Sequence, residues 1–159
     1  MYRKILVPYD GSEPSSKAVD HAVRIAKLAG GGSDVILLHV IAEFPTHHFI
    51  ERPARSIRTG QKITLSQYLV EVYELMKQSA RELLADKKEA ISKSSGLETK
   101  TKVLTGHISN TIIDFAEKEK IDLIVIGNVG RTGISKMRTL GSVSRRVSEA
   151  APCPVMIVH

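Results

Sequence analysis

Two clusters of glycine and serine near the end of the sequence have the residue types and the spacing of a phosphate-binding site. Gly127, Gly130 and Gly133 recur at every third position, and a second cluster follows that consists of Gly141, Ser142, Val143 and Ser144. Glycine allows a backbone to approach a ligand closely, and the first turn of a helix offers unpaired N–H groups with a partial positive charge. The pattern therefore favours a cradle for phosphate over a plain glycine turn.

The segments on either side of the first cluster predict the elements that would position it. Asp122 to Ile126 is a short apolar run, which is typical of a buried parallel strand. Val143 to Ala150 predicts a helix behind the glycines. Because ligands of parallel sheets bind at the carboxyl ends of the strands, a glycine loop between this strand and this helix is placed where a ligand would bind.

Strand and helix patterns alternate along the chain in the order β-α-β-α-β-α-β-α-β. The predicted strands are Tyr2 to Val7, Asp34 to Ile41, Leu97 to Leu104, Ile121 to Ile126 and Val155 to Val158. Helices are predicted from an N-cap at Ser12 to Ala29, from Thr64 to Lys93, from Ile108 to Lys118, and after the glycine loop. This order predicts an α/β fold, with a three-layer, doubly wound, five-stranded parallel sheet and right-handed crossovers.

Two parts of the chain need separate interpretations. An apolar stripe on the second helix is expected to join the core, and it consists of Leu65, Leu69, Val72, Leu75, Met76, Leu83 and Leu84. The irregular insert at about residues 44–62 is too long for a simple connection, so a functional lid and a loop without fixed structure both remain open. Its adjacent His47 and His48 are expected to be exposed rather than metal ligands. His39 is expected in the core, and His107 is a weaker candidate for the site.

Composition limits the class of protein. We expect a single domain over residues 1–159, because a chain of this length can bury a core of its own. The net charge of +6 favours anionic partners, but an aromatic content of 4%, with no Trp, argues against nucleic acid. No apolar run is long enough for a membrane span and no signal peptide is evident, so a cytoplasmic location is expected. Cys153, the only cysteine, is expected to be a packed thiol.

Five motifs in this order resemble the universal stress protein family. They are Ile5-Leu-Val-Pro-Tyr-Asp-Gly-Ser12, Leu37-Leu-His-Val40, Asp122-Leu-Ile-Val-Ile-Gly127, the loop from Gly127 to Ser142, and Pro152-Cys-Pro-Val-Met-Ile-Val158. The resemblance implies a Rossmann-like sheet in the order 3-2-1-4-5, of the type shared with adenine nucleotide alpha hydrolases. It also implies a homodimer joined through the last strand, and a family divided into members that bind ATP and members that do not.

The ATP-binding members carry the pattern Gly-x2-Gly-x9-Gly-Ser/Thr, which the loop matches in kind. The spacer from Arg131 to Leu140 has ten residues, one more than that pattern. The extra residue affects whether the Arg131 side chain points toward the ligand. The resemblance implies an adenine nucleotide, with Mg²⁺ held through its phosphates. The implied site consists of Pro8, Tyr9, Asp10 and Val40 at the adenosine end, with Ile126, Gly127, Gly130, Arg131, Gly141, Ser142, Val143 and Ser144 at the ribose and phosphates. The alternative for Asp10 is an Asx-turn or a cap for the first helix, and ligand contact is favoured over it.

Sequence and resemblance together predict a cytoplasmic stress-response protein that binds ATP or a related adenine nucleotide as a dimeric sensor or regulator. The loop is not a Walker A motif, and no nucleophile–base set can be assembled, so no catalytic residues are expected and slow hydrolysis or self-phosphorylation stays open. The alternative is a member without a nucleotide that acts through protein contacts. An adenylating enzyme of a related fold is disfavoured, because no pyrophosphate loop follows the first strand.

Overall fold

A computed structural model describes residues 2–30, 32–44, 52–130 and 140–159 of the chain. The elements in chain order are β1 (Lys4–Pro8), α1 (Glu13–Leu28), β2 (Asp34–Ala42), β3 (Pro53–Arg55), β4 (Lys62–Thr64), α2 (Leu65–Ser95), β5 (Thr99–Gly106), α3 (Ile108–Lys118), β6 (Leu123–Gly127), α4 (Ser142–Ala150) and β7 (Val155–Val158). A five-stranded parallel sheet has the order β5-β2-β1-β6-β7. When only the five strands of this sheet are numbered in chain order, leaving out β3 and β4, the order is 3-2-1-4-5. The expected α/β fold is therefore confirmed.

Helices cover both faces of the sheet because its central strands are apolar on both sides. Ile5 and Val7 of β1 pack with α1 and α2 in one core, whereas Leu6, which lies between them in sequence, packs with α3 and α4 in the other. All three side chains are fully buried. This arrangement gives the three layers predicted from the alternation of strands and helices. Within the described ranges, no helix has both the length and the apolarity to cross a membrane.

The helices begin and end at the expected kinds of residue. Ser12 is the N-cap of α1, and its side chain accepts the N–H of Ser15 at 3.3 Å. Thr64 and Gln67 form a reciprocal capping box at the start of α2, and Gly96 ends that helix in the left-handed conformation with a φ of 69°. The predicted first and last residues of this long helix are therefore close to the observed ones.

The insert predicted as irregular contains a short antiparallel hairpin formed by β3 and β4. In its loop, the Ser56 hydroxyl accepts backbone N–H groups at 3.2 and 3.1 Å and donates to Oε1 of Glu71 on α2 at 2.7 Å. Oε2 of Glu71 accepts the N–H of Ile57 at 2.7 Å, and these bonds, that from Ser56 first, lower the pKa of Glu71. Strands of three residues are too short to leave a periodic pattern in the sequence, which explains why the hairpin was not predicted. Residues 47 and 48 lie outside the described residues.

The apolar stripe of α2 enters the core only in the second half of the helix, so the prediction for its first half is wrong. Leu84 is 1% exposed, whereas Leu75 is 46% exposed. A helix of 31 residues is about 46 Å long, but β5, with 8 residues, spans only about 27 Å. The first half of α2 therefore extends beyond the sheet and contacts the hairpin instead.

Thr99, at the start of β5, is a buried polar residue whose hydroxyl has no partner in the described part of the chain. It is 3% exposed, and its Oγ1 makes no hydrogen bond with any described residue. Thr99→Val should raise the free energy of unfolding by about 1 kcal/mol, because the change removes the cost of burying an unpaired hydroxyl. Urea denaturation measures this effect. Thr101→Val is the control, since Thr101 is exposed on the same strand, and a less stable Thr99→Val protein would contradict the prediction.

Asp122 connects the start of β6 to the start of β1. Its Oδ2 accepts the N–H groups of Arg3 and Lys4 at 2.8 and 2.9 Å. These bonds, that from Lys4 first, hold the pKa of the carboxyl group below its ordinary value of 3.8. Because the pKa is lower in the folded state than in the unfolded state, the charged group contributes stability above the unfolded pKa, and this contribution is lost as the pH falls through the folded pKa.

Asp122→Asn is therefore expected to lower the free energy of unfolding by about 0.5–1 kcal/mol at neutral pH, a small value because the carboxylate is exposed and screened by solvent. The difference from the wild-type protein should shrink as the pH falls below 3.8. Denaturation curves over a pH series measure it, with the exposed Asp86→Asn as control. A difference that does not change with pH would show that the charge of Asp122 is not its source.

Candidate functional site

The carboxyl ends of β1, β2 and β6 meet where the winding of the sheet reverses. The sheet continues from β1 through β2 on one side and through β6 on the other, and such a reversal opens a crevice for ligands. Pro8 ends β1, Gly127 ends β6, and Val40 lies near the end of β2. The structure thus places these sequence-predicted residues at one edge of the sheet.

Asn128, which sequence reasoning missed, holds the two glycine clusters together. Its carbonyl accepts the N–H of Gly141 at 2.8 Å and the hydroxyl of Ser144 at 2.7 Å. Its own N–H donates to the carbonyl of Val158 in β7 at 2.8 Å. Asn128 is only 6% exposed, and the signal available in the sequence was a polar residue placed between glycines directly after a buried strand. The clusters therefore lie side by side at the crevice.

The first turn of α4 begins without a side-chain cap from any described residue. Gly141 is the N-cap residue, and its carbonyl accepts the N–H of Arg145 at 3.0 Å as the first bond of the helix. The N–H groups of residues 142–144 precede that bond, and no hydrogen bond among the described residues uses them. Because the helix dipole adds positive potential at this end, the arrangement suits the oxygen atoms of an anion.

The hydroxyl of Ser144 serves the fold. Ser144 is 2% exposed, and its Oγ lies 2.7 Å from the carbonyl oxygen of Asn128 and 3.0 Å from that of Gly141. Both neighbours are acceptors, and a hydroxyl has one proton to donate. Any contact of Ser144 with a phosphate is therefore left to its backbone N–H. Ser142, by contrast, is exposed at the start of the helix, and Val143 packs against the core of α3 and α4.

Asp10 and Gly130 face each other across the crevice. A Cβ added at Gly130 would lie 3.1 Å from Oδ2 of Asp10, so the glycine loop approaches the carboxylate closely. Oδ1 of Asp10 accepts the N–H of Ser12 at 3.0 Å, which is the Asx-turn considered from the sequence. This turn fixes the direction of the carboxylate while leaving it beside the loop.

Tyr9 supports the site from within the core. It is 7% exposed, and its ring packs on the α1 and α2 side of the sheet, where Nζ of Lys87 lies 5.7 Å from the ring centroid. Its carbonyl accepts a hydrogen bond from Nδ1 of His39 at 2.9 Å. A carbonyl can only accept, so Nδ1 carries the proton; His39 has the hydrogen-bond partner that the sequence predicted, but it is half-buried rather than in the core. Tyr9 thus positions the chain that leads to Asp10 and does not present its ring to the crevice.

Gly127 is required by packing. A Cβ at this position would lie 2.8 Å from the backbone carbonyl carbon of Pro14, in the first turn of α1. Ile126, the preceding residue, is 5% exposed and packs in the core on the side of α3 and α4. The lack of a side chain at Gly127 lets α1 pack closely on β6 beneath the site.

The remaining candidates contribute little that the structure can describe. Arg131 lies outside the described residues. His107 is the exposed N-cap of α3, and its Nδ1 lies 3.3 Å from Oγ of Ser109. Cys153 is half-buried, and burial, followed by the charge of Asp122, raises the pKa of its thiol, as suits a packed residue. Among the described residues no three His, Cys, Asp or Glu groups lie together as a metal site.

Comparison with known proteins agrees with this architecture. The model of the universal stress protein family matches residues 1–159. The universal stress protein MJ0531 of Methanocaldococcus jannaschii is 37% identical over 158 residues, which cover 99% of this chain and 82% of that protein. The structure of the universal stress protein UspA from Lactobacillus plantarum is 25% identical, with a TM-score of 0.78, and the match covers 99% of this chain and 98% of that one.

A further similar structure is a universal stress protein in complex with cAMP. It is 26% identical, with a TM-score of 0.62, and the match covers 99% of this chain and 97% of that one. The family model and the relative from Methanocaldococcus both extend over essentially the whole chain. The chain therefore belongs to the universal stress protein family.

Proposed function

We propose that this protein binds ATP or a related adenine nucleotide at the crevice beside Asp10. The phosphates contact the first turn of α4 and the loop at residues 127–130, and any Mg²⁺ binds through phosphate oxygens. The observation that carries the proposal is the pair of bonds to the Asn128 carbonyl, because they hold an uncapped helix start beside a glycine loop.

The adenosine end is proposed to lie against Pro8, Asp10 and Val40. The last residue pair between β1 and β2 is Pro8 with Leu38, so Val40 lies beyond the end of β1. The Leu38 carbonyl accepts the N–H of Tyr9 at 2.8 Å and therefore faces β1. Backbone groups two residues apart on a strand face the same side, so those of Val40 face the crevice, where an adenine edge would find a donor and an acceptor.

A similar protein supports the choice of ligand class. The relative that was solved in complex with cAMP shares 26% of its residues with this chain and has the same fold. An adenine nucleotide bound by that protein contains the base, ribose and phosphate that the crevice here would accommodate. This similarity supports the proposal that the chain is one of the family members that bind such nucleotides.

We further propose that the protein acts as a cytoplasmic, dimeric sensor or regulator with at most slow hydrolysis. β7 lies at one edge of the sheet and pairs with β6 alone among the described strands. Met156 in this strand is 38% exposed, although it is a large apolar residue. An edge of this kind can pair with a second copy. Sedimentation velocity over a concentration series tests the dimer, and a monomer at every concentration would remove this part of the proposal.

A second candidate function is contact with other proteins without a nucleotide. The spacer between Gly130 and Gly141, which has ten residues, favours it, because the extra residue departs from the pattern of the ATP-binding members. This alternative predicts that the purified protein carries no nucleotide and gains no stability when ATP is added.

Mass spectrometry of ligand released from freshly purified protein, followed by calorimetric titration, tests the two functions against each other. We expect dissociation constants on the order of micromolar for ATP, or for another adenine nucleotide, and much weaker binding of GTP. Absence of both released ligand and heat with ATP, ADP, AMP and cAMP would reject nucleotide binding and leave the second function.

A further inference from the structure

The edge of the sheet opposite β7 is formed by β5. This strand has 8 residues, pairs with β2, and makes no other backbone bond with a described residue. An edge of this length presents a row of unused N–H and carbonyl groups to solvent, and proteins either shield such edges or use them to bind another chain. The charges of Lys100 and Lys102 on β5 oppose the pairing of this edge with uncharged strands of other chains.

A groove of about 390 Å³ runs between β5 and α2, and its lining residues are Lys77, Arg81, Leu84, Thr101, Lys102, Val103 and Thr105. Leu84 is 1% exposed and forms an apolar floor with the half-buried Val103. Hydroxyl groups and cations form the walls. A groove with this lining offers polar contacts, and apolar contact with Val103, to a chain that lies along the strand.

The groove is positively charged. Lys77 bonds to Glu74 at 2.8 Å, a contact that lowers the pKa of Glu74, but neither Arg81 nor Lys102 forms a salt bridge with any other described residue. Lys77 and Arg81, one turn apart, are separated by about 6 Å along the helix, and alternate side chains of an extended chain by about 6.6 Å. Acidic residues at alternate positions of a strand therefore match the spacing of the cations.

We propose that this groove binds an extended acidic segment of a partner protein, which adds to the sheet as a strand beside β5. Backbone groups of the segment pair with the open edge, and acidic side chains at alternate positions contact Lys77 and Arg81 on the α2 side of the sheet. No aromatic residue is among the described residues that line the groove, so a nucleic-acid base has nothing there on which to stack, which favours a peptide over single-stranded nucleic acid. The interaction does not depend on the proposed nucleotide site.

The probe for the test is a fluorescein-labelled peptide as long as β5, in which Glu alternates with Val or Thr. Fluorescence anisotropy should show saturable binding to the wild-type protein. Arg81→Glu should weaken it by about tenfold, since a like charge then faces the peptide. The exposed Arg24→Glu on α1 has the same change in net charge and should alter affinity by less than about twofold, because Arg24 is not among the residues that line the groove.

A second peptide with N-methyl groups at alternate residues keeps the charges but cannot pair along one edge, and it should lose most of the binding. Unchanged binding of the methylated peptide, or equal losses in Arg81→Glu and Arg24→Glu, would show attraction by net charge alone and would overturn the proposal. Dimer dissociation caused by Arg81→Glu would place a second copy on this edge instead. Stronger binding of poly-uridine RNA than of the acidic peptide, lost in Arg81→Glu, would also overturn it.

Discussion

Gly127→Ala is expected to lower the free energy of unfolding by about 3 kcal/mol, at the upper end of the usual cost of overpacking. The added Cβ would lie 2.8 Å from both the carbonyl carbon and the Cβ of Pro14, and 3.0 Å from its carbonyl oxygen. Pro14 belongs to the first turn of α1, so relief requires that the backbone of α1 or β6 moves. For a chain of this size, the melting temperature should fall by about 6–12 °C.

Thermal unfolding followed by circular dichroism measures this loss, and Gly32→Ala is the matched control. A Cβ at Gly32 meets no atom of the described residues within 4 Å, so the same chemical change should alter the melting temperature by less than about 2 °C. If both variants melted alike, the packing of α1 on β6 would not be the reason for a glycine at position 127. The expected result gives this glycine a structural role beneath the site.

The fold could be predicted because its signals are local. Each of Ile5, Leu6 and Val7 is apolar, and a strand buried on both faces requires that pattern. Helix ends are also predicted by single residues: the Ser12 side chain can cap the start of α1, and Gly96 can adopt the left-handed conformation that ends α2. The apolar stripe of α2 could not be interpreted in the same way, because whether Leu75 is buried depends on the length of the neighbouring strand, which the helix sequence does not contain.

The site was predicted less completely, since its bonds join residues that are distant in sequence. The sequence does not indicate a role for Asn128, because that role depends on the hydrogen bonds that its carbonyl accepts from Gly141 and Ser144. The Ser144 hydroxyl is a plausible phosphate ligand by residue type alone, but its burial and its acceptors assign it to the fold. Residue type therefore indicated the edge of the sheet at which the candidate site lies, whereas the separate roles of backbone and side chains there became visible only in the tertiary structure.

Ser142→Asp is expected to weaken the binding of ATP by about one to two orders of magnitude while making the protein more stable. Ser142 is exposed as the first residue of α4, after an N-cap that has no side chain. A carboxylate at this position compensates the helix dipole and stabilises the fold by about 0.3–1 kcal/mol. The same charge lies where the phosphates are proposed to bind, and it repels them.

Calorimetric titration with ATP and with adenosine separates the two ends of the ligand, since adenosine has no phosphate and its affinity should hardly change. Ser148→Asp adds the same charge near the other end of α4, where it should cost some stability and alter ATP affinity by less than about threefold. If Ser142→Asp and Ser148→Asp lost the same amount of ATP affinity, the loss would be due to the change in net charge and not to the position of the carboxylate. If Ser142→Asp bound ATP as tightly as the wild-type protein, the proposed position of the phosphates at the start of α4 would be rejected. Because stability and affinity are expected to move in opposite directions, partial unfolding cannot imitate the result.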